Sequence, residues 1–266
     1  MLKVVVCVKA VPDPKNVSKI KIDPEKKTLM RCNVPMVINP VDRHGLEAGL
    51  TLKRSIGASV TAIGMGPPSA ENILKECLAL GADHGILLSD SAFSGADAFA
   101  TAYTLSKGIK RNGPFDLLLC GYASSDGATE WVGPQLATIL KLPVITMVRE
   151  IQTVEERNWI IKADWDDGYR LVSVELPVLL TVTRSLNQPR ALSFSGVIES
   201  RRKQVSSWNL KDLSLTPDEV GSLGSPTIVS NLGIFKNRRS VKMVNGTADE
   251  KADKLVEILS RSGAIG

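Results

Sequence analysis

The residues best suited to chemistry form one run, Gly121-Tyr-Ala-Ser-Ser-Asp-Gly-Ala-Thr-Glu-Trp-Val-Gly-Pro134. Most are small or carry hydroxyls. A short apolar run, Phe115–Cys120, comes before, and an apolar-periodic stretch, Gln135–Lys141, comes after. That order predicts a buried strand, a small-residue loop and a helix start. Such a loop lets backbone N–H groups close on a phosphate, and the helix start adds a favourable dipole. In an open α/β sheet, ligands bind where such loops leave the carboxyl ends of the strands. Thr129 can supply a hydroxyl donor. Asp126 must act through its backbone or turn its carboxylate away, because an anion facing phosphate is repelled.

Other catalytic patterns are missing from the sequence. Its two histidines, His44 and His84, sit in no motif with a nucleophile or carboxylate. No G-x-x-x-x-G-K-[ST] loop and no G-x-S-x-G elbow occurs, and Gly64-Met-Gly66 lacks the rest of a dinucleotide fingerprint. The four cysteines, Cys7, Cys32, Cys77 and Cys120, form no C-x-x-C pair. They predict neither a metal site nor a disulfide framework, and three of them read as small buried hydrophobes. With no catalytic residue assignable, a bound cofactor is expected to carry the chemistry.

The elements that must position the loop are legible as alternating strands and helices over the first ~185 residues, the pattern of a parallel sheet. Strands are predicted at Leu2–Val8, Ser59–Met65, Gly85–Leu88 and Phe115–Cys120. Helices are predicted at Arg43–Ser55 with Asp42 as N-cap, from Gly66-Pro-Pro-Ser69 to about Leu80, and at Ala96–Lys110. Ile20–Asp23 and Thr28–Arg31, flanking Pro24–Lys27, read as a hairpin excursion. After Leu142 come short strand-like runs, Val144–Met147, Glu150–Val154, Trp159–Trp165, Arg170–Leu176 and Val178–Thr183, with a hairpin turn at Asp166-Asp-Gly168. The expected fold is therefore α/β: a doubly wound, mostly parallel sheet with a β-addition and a long C-terminal arm ending in a helix. The domains predicted are a nucleotide-binding unit at 1–185, a partner-docking loop and helix at 186–205, and an arm at 206–266. Arg201–Gly224 is polar with weak periodicity, whereas Asp249–Ser262 is an amphipathic helix with Ala252, Leu255, Val256 and Leu259 on one face. That arm is expected to pack on a partner subunit.

Composition narrows the class. Hydrophobic residues make up 43% of the 266, enough for a sizeable core, and the net charge is +5. Basic residues are dispersed apart from Arg201-Arg-Lys203 and Lys236-Asn-Arg-Arg239, with little aromatic interleaving, so nucleic acid is not an expected partner. No stretch reaches the ~20 apolar residues of a membrane span, and the start does not read as a signal peptide. A cytoplasmic protein with no membrane partner is expected.

Several segments, in order and at matching spacing, resemble the β subunit of electron-transfer flavoproteins over essentially the whole chain. They are Val5-Val-Cys-Val-Lys9-x-Val11-Pro-Asp13, Val37-Ile-Asn39-Pro40-x-Asp42, Met65-Gly-Pro67, Leu78–Asp83, Cys120-Gly121, Asp126-Gly127, Thr129-x-x-Val132-Gly133-Pro134, Leu176-Pro177-x-Leu179 and Leu186-Asn187-x-Pro189-Arg190. The resemblance implies a heterodimer with an electron-transfer flavoprotein α subunit and an adenine nucleotide between the sheet and the small-residue loops. It further implies that Cys7, Asn39, Asp42, Met65, Gly66, Gly121, Ala123, Ser125, Asp126, Gly127, Thr129, Val132 and Gly133 bind the cofactor. Ala123 and Ala128 depart from the family's usual glutamine and acidic residue, so contacts at those two positions are expected to differ. Asp164 is a candidate for the region of the α-subunit flavin. Phe194, with Val197 and Ile198, is implied as the anchor for a dehydrogenase.

Gly221-Ser-Leu-Gly-Ser-Pro-Thr-Ile-Val229 resembles a stretch of the electron-bifurcating branch. On that reading the cofactor is FAD, NADH is the electron donor, and electrons pass to ferredoxin and, through the α-subunit FAD, to or from a flavin-dependent dehydrogenase of acyl-CoA or hydroxy-acid type. The chain would then be part of an oxidoreductase complex. A conventional carrier with AMP in the site and a non-redox adenine-nucleotide-binding regulatory module remain alternatives.

Overall fold

The computed structural model describes residues 1–19, 21–23, 28–30, 34–155, 157–230, 241 and 243–265. Part of the expected hairpin (Ile20, Pro24–Lys27 and Arg31), Cys32 and the basic run Lys236–Arg239 lie outside the described residues.

β1 (Lys3–Cys7) is followed by β2 (Ala10–Pro12), an antiparallel pair β3 (Lys21–Asp23) and β4 (Thr28–Met30), and β5 (Met36–Ile38), which pairs with β2. Next come α1 (Pro40–Ile56), β6 (Ser59–Met65), α2 (Glu71–Leu80), β7 (His84–Leu88), α3 (Ala98–Asn112), β8 (Leu117–Gly121) and α4 (Val132–Leu140). A meander β9 (Val144–Glu155), β10 (Asn158–Trp165) and β11 (Gly168–Glu175) leads back to β12 (Val178–Val182). α5 (Phe194–Ser200) and β13 (Val205–Trp208) follow, and α6 (Ala248–Arg261) lies near the C-terminus.

Nine strands form one sheet in the order β11-β10-β9-β12-β8-β1-β6-β7-β13, and those from β9 to β13 in that order run parallel. β1 is apolar without alternation because both of its faces are covered. Val4 and Val6 pack with Leu46 and Leu50 of α1 and Leu74 and Leu78 of α2, while Val5 and Cys7 pack with Leu105 and Ile109 of α3 and Leu136 of α4. Each fully buried valine or leucine contributes roughly 1.5–3 kcal/mol. The sheet is thus doubly wound, with α1 and α2 on one face and α3 and α4 on the other.

The chain builds outward from β1 through β6 and β7, then crosses to the other side of β1 at β8. The order therefore reverses between β1 and β8, and the loops after these two strands diverge. This is the crevice where open α/β sheets take ligands.

Three expectations are corrected. Asp42 does not cap α1: the helix starts at Pro40 with Asn39 at the cap position, and Asp42 sits buried in its first turn. Proline suits the first helical position because it lacks the N–H that would be orphaned there. The runs Val144–Met147 and Glu150–Val154 are one strand, bent where Met147 takes φ 58° and the register with β12 shifts, with a shift against β10 following between Val148 and Glu150. Residues 206–230 are not the start of a separate arm. β13 extends the sheet beside β7, and Leu213, Leu215 and Val220 are buried in the same core as α3. The compact unit runs from Met1 to Ser230. Asn231–Gly266 is a second unit. Its helix α6 is closed at the start by a reciprocal Thr247–Glu250 capping box, and Leu255, Val256 and Ile258 are exposed on it.

Candidate functional site

Asp42 joins the two strands at the crevice. Its Oδ2 accepts from the N–H of Lys9, just past β1, at 2.8 Å, and its Oδ1 accepts from Gly121 N–H at the end of β8 at 3.0 Å. Gly121 must be glycine for this approach, because a Cβ would collide with Asp42 Oδ1 and stand 3.0 Å from Val41 Cβ. Burial pushes the Asp42 carboxyl up to about 6, against the hydrogen bonds from Asn39, Lys9 and Gly121 and the positive charge of Lys9.

Asn39 shapes the loop. Its Nδ2 donates to Ala123 O at 2.8 Å, its Oδ1 accepts from Ser125 N–H at 3.1 Å, and it is buried. Lys9 closes the other side: its Nζ donates to Asp126 Oδ1 at 2.6 Å and to Ser124 Oγ at 3.2 Å. Ser124 also accepts from Gly127 N–H through its Oγ and from Ala128 N–H through its carbonyl. The turn 124–128 is thereby fixed, and the Asp126 carboxylate is held by a cation.

Beyond the turn, Ala128 and Glu130 take left-handed backbone, φ 46° and 62°, on either side of Thr129. Such alternation turns successive N–H groups into a concave, anion-accepting array. Among the described residues, the N–H groups of Thr129, Glu130 and Trp131 have no hydrogen-bond partner. Val132 and Gly133 open α4, where the first N–H groups have no partner inside the helix and no side chain caps them. Gly133 packs the start of α4 on the sheet, since a Cβ there would lie 2.5 Å from Thr181 Cγ2 and 3.1 Å from Cys120 Sγ.

The remaining residues implied by the resemblance divide by position. Met65 and Gly66 stand at the carboxyl end of β6, next to β1; Met65 packs partly in the α3-side core, and Gly66 N–H donates to Leu88 O at 3.1 Å. Cys7 is buried at the end of β1, and burial first, then the Asp42 charge, pushes its thiol far up, so it is a neutral core group. Cys77 and Cys120 are likewise buried and unpaired. Phe194, Val197 and Ile198 stand apart from the crevice on α5, all exposed, with Phe194 at 84%. Asp164 pairs with Arg149 at 2.9 Å. His44 is a strut: its Nδ1 lies 3.1 Å from Asn187 Oδ1, and its carbonyl accepts from Asn187 Nδ2 at 2.9 Å. Lys9 and Ser124, which lie within the quoted segments, join the site only through the fold. A lysine directly after a continuous buried strand was the available signal.

The Gly224-Ser-Pro-Thr227 stretch clips onto the start of α3. Asp97 N–H donates to Ser225 Oγ at 2.8 Å, and Asp97 Oδ2 accepts from Thr227 N–H and Oγ1 at 3.1 and 2.7 Å. Among the described residues, no helix is long and apolar enough to cross a membrane.

A model of the electron transfer flavoprotein domain matches residues 27–213. The chain is 40% identical over 266 residues to the caffeyl-CoA reductase–Etf complex subunit CarD of Acetobacterium woodii, covering 99% of this chain and 100% of that one. It is 42% identical to the electron transfer flavoprotein subunit beta of Clostridium acetobutylicum, with 99% and 100% covered. Protein FixA of Bradyrhizobium diazoefficiens is 33% identical, with 96% and 90% covered. A doubly wound sheet with a loop of open N–H groups at its switch point, matched nearly end to end by these relatives, places this chain in the electron transfer flavoprotein family, among its beta subunits.

Proposed function

We propose that this chain is the nucleotide-binding, electron-accepting subunit of an electron-transfer heterodimer, with FAD in the crevice between β1 and β8. The observation that carries the reading is the set of unpartnered N–H groups from Thr129 to Gly133, beside an Asp126 carboxylate already matched by Lys9. The residues fit a nucleotide phosphate: the N–H groups from Thr129 to Gly133 are open to an acceptor, and the Asp126 carboxylate in the preceding turn is paired with Lys9. Thr129, Val132 and Gly133 would hold the phosphates, while Gly127 keeps the turn free of side chains. Met65 and Gly66, on the neighbouring strand end, would flank the base. Asn39 and Asp42 act from behind by holding the loop and the strand ends in register.

The bound FAD supplies two-electron acceptance from NADH and one-electron release. Family membership supports electron transfer as the role. Two relatives are named for complexes that reduce acyl-CoA-type substrates: CarD, and the acryloyl-CoA reductase electron transfer subunit gamma of Anaerotignum propionicum, which is 35% identical. They support a flavin-dependent dehydrogenase or reductase as partner, reached through Phe194, Val197 and Ile198. Ferredoxin is the second acceptor on this reading, and α6 docks on the α subunit.

Cofactor extraction from the chain purified with its α subunit tests the proposal. Two FAD per heterodimer, together with NADH-dependent ferredoxin reduction in the presence of the partner reductase, is the expected result. One FAD and one AMP per heterodimer would replace it with the conventional carrier.

A further inference from the structure

The Lys9 backbone is locked from both sides. Its N–H donates to buried Asp42 at 2.8 Å, and its carbonyl accepts from Asn39 N–H at 2.9 Å. The side chain is therefore aimed from the end of β1 into the loop after β8, more than a hundred residues along the chain. There its Nζ meets Asp126 at 2.6 Å and Ser124 at 3.2 Å. The two partners differ in environment: the Lys9 side chain is 44% exposed, that of Asp126 only 6%. A carboxylate so shielded from water, in the turn that leads into the open N–H groups, would repel any phosphate drawn to them.

We infer that Lys9 is a positioning and charge-neutralising residue: it cancels Asp126 and holds the turn so that the N–H groups of Thr129–Gly133 present net positive potential to the phosphate next to the adenosine, whether from AMP or from FAD. This deepens the proposed function and rests on it. The role differs from direct phosphate contact in one respect. If Lys9 acts through Asp126, removing the carboxylate makes the lysine dispensable. If Lys9 binds phosphate itself, removing the carboxylate does not.

Calorimetric titration of AMP and, separately, of FAD into the full chain stripped of nucleotide distinguishes these. Lys9→Gln should weaken binding of both at least tenfold, about 1.4 kcal/mol, with a thermal midpoint that shows the protein folded. Lys9→Arg should bind within threefold of wild type, because it keeps the charge. The double variant Lys9→Gln/Asp126→Asn should bind within threefold of Asp126→Asn alone, and both should bind at least threefold more tightly than Lys9→Gln. A purely structural pin would not be rescued by removing its partner. A double variant as weak as Lys9→Gln would overturn the inference, as would a Lys9→Gln variant that binds like wild type; in both cases the nucleotide site itself would stand. Wild type binding neither AMP nor FAD would instead overturn the nucleotide reading, and this inference with it.

Discussion

Asn39 and Asp42 decide the shape of the crevice without facing its opening. Asn39→Ala would leave Ala123 O and Ser125 N–H without their partner. The expected loss is about 1–3 kcal/mol in a urea titration, with faster hydrogen exchange at Ser125. Asp42 makes a pH prediction. With its carboxyl raised from 3.8 to about 6, the folded chain keeps a proton that the unfolded chain has released across that window. The stability Asp42 contributes is therefore full below 3.8 and lost as pH rises through 6, about 3 kcal/mol for a shift of roughly two units. Asp42→Asn does not ionise. The unfolding free energy of wild type minus that of the variant should fall by about 2–3 kcal/mol between pH 4 and pH 7; a constant difference would show that Asp42 titrates normally. Both residues were legible as members of an Asn-Pro-x-Asp segment. Their job was not, because it depends on backbone groups about 80 residues away at Gly121, Ala123 and Ser125.

At the scale of elements, α1 supports two structures at once. Its first turn serves the crevice, and its middle holds the chain that leads to α5. Glu47 Oε2 accepts from Arg190 N–H at 3.0 Å and from Arg190 Nε at 2.8 Å, while Oε1 accepts from Arg190 Nη2 at 2.8 Å. Burial pushes the Glu47 carboxyl up, but these bonds and the Arg190 charge outweigh it and hold it below the usual carboxylate range. Glu47→Gln removes the charge and part of the fork, so a loss of about 1–3 kcal/mol is expected, with faster hydrogen exchange confined to Asn187–Arg190. Unchanged exchange there would show that the clamp does not order the segment. The alternating strand and helix periods made most of these elements readable. β13 escaped because its four residues carry no alternation, and its place was decided by pairing with β7. The bend at Met147 escaped for a related reason. It is held by Thr181 Oγ1, which accepts Met147 N–H at 3.1 Å from the neighbouring strand.

For the whole molecule, the exposed apolar groups are where partners are expected. Phe194 is exposed on α5, and Leu255 and Val256 on α6. A protruding aromatic is an efficient anchor, with losses of 2 kcal/mol or more on truncation at such positions. Phe194→Ala should leave the melting temperature within a degree or two and lower electron transfer to the partner dehydrogenase by tenfold or more, read by stopped-flow flavin oxidation. Leu255→Asp/Val256→Asp should likewise leave the chain folded but abolish co-purification with the α subunit. Retained co-purification would refute α6 as the docking element.

The sequence by itself determined the layered α/β class, the central parallel strands, the small-residue loop and the family. These depend on local periodicity, on small residues where backbone must approach closely, and on ordered motifs. Tertiary structure alone decided that the loop stands at the sheet's switch point. It decided too that Asn39 and Asp42 work from behind the loop, that Lys9 pairs with Asp126, and that 206–230 belongs to the main unit. Each of these depends on pairing between residues far apart in the chain, and no local pattern encodes which distant donor will find which buried acceptor.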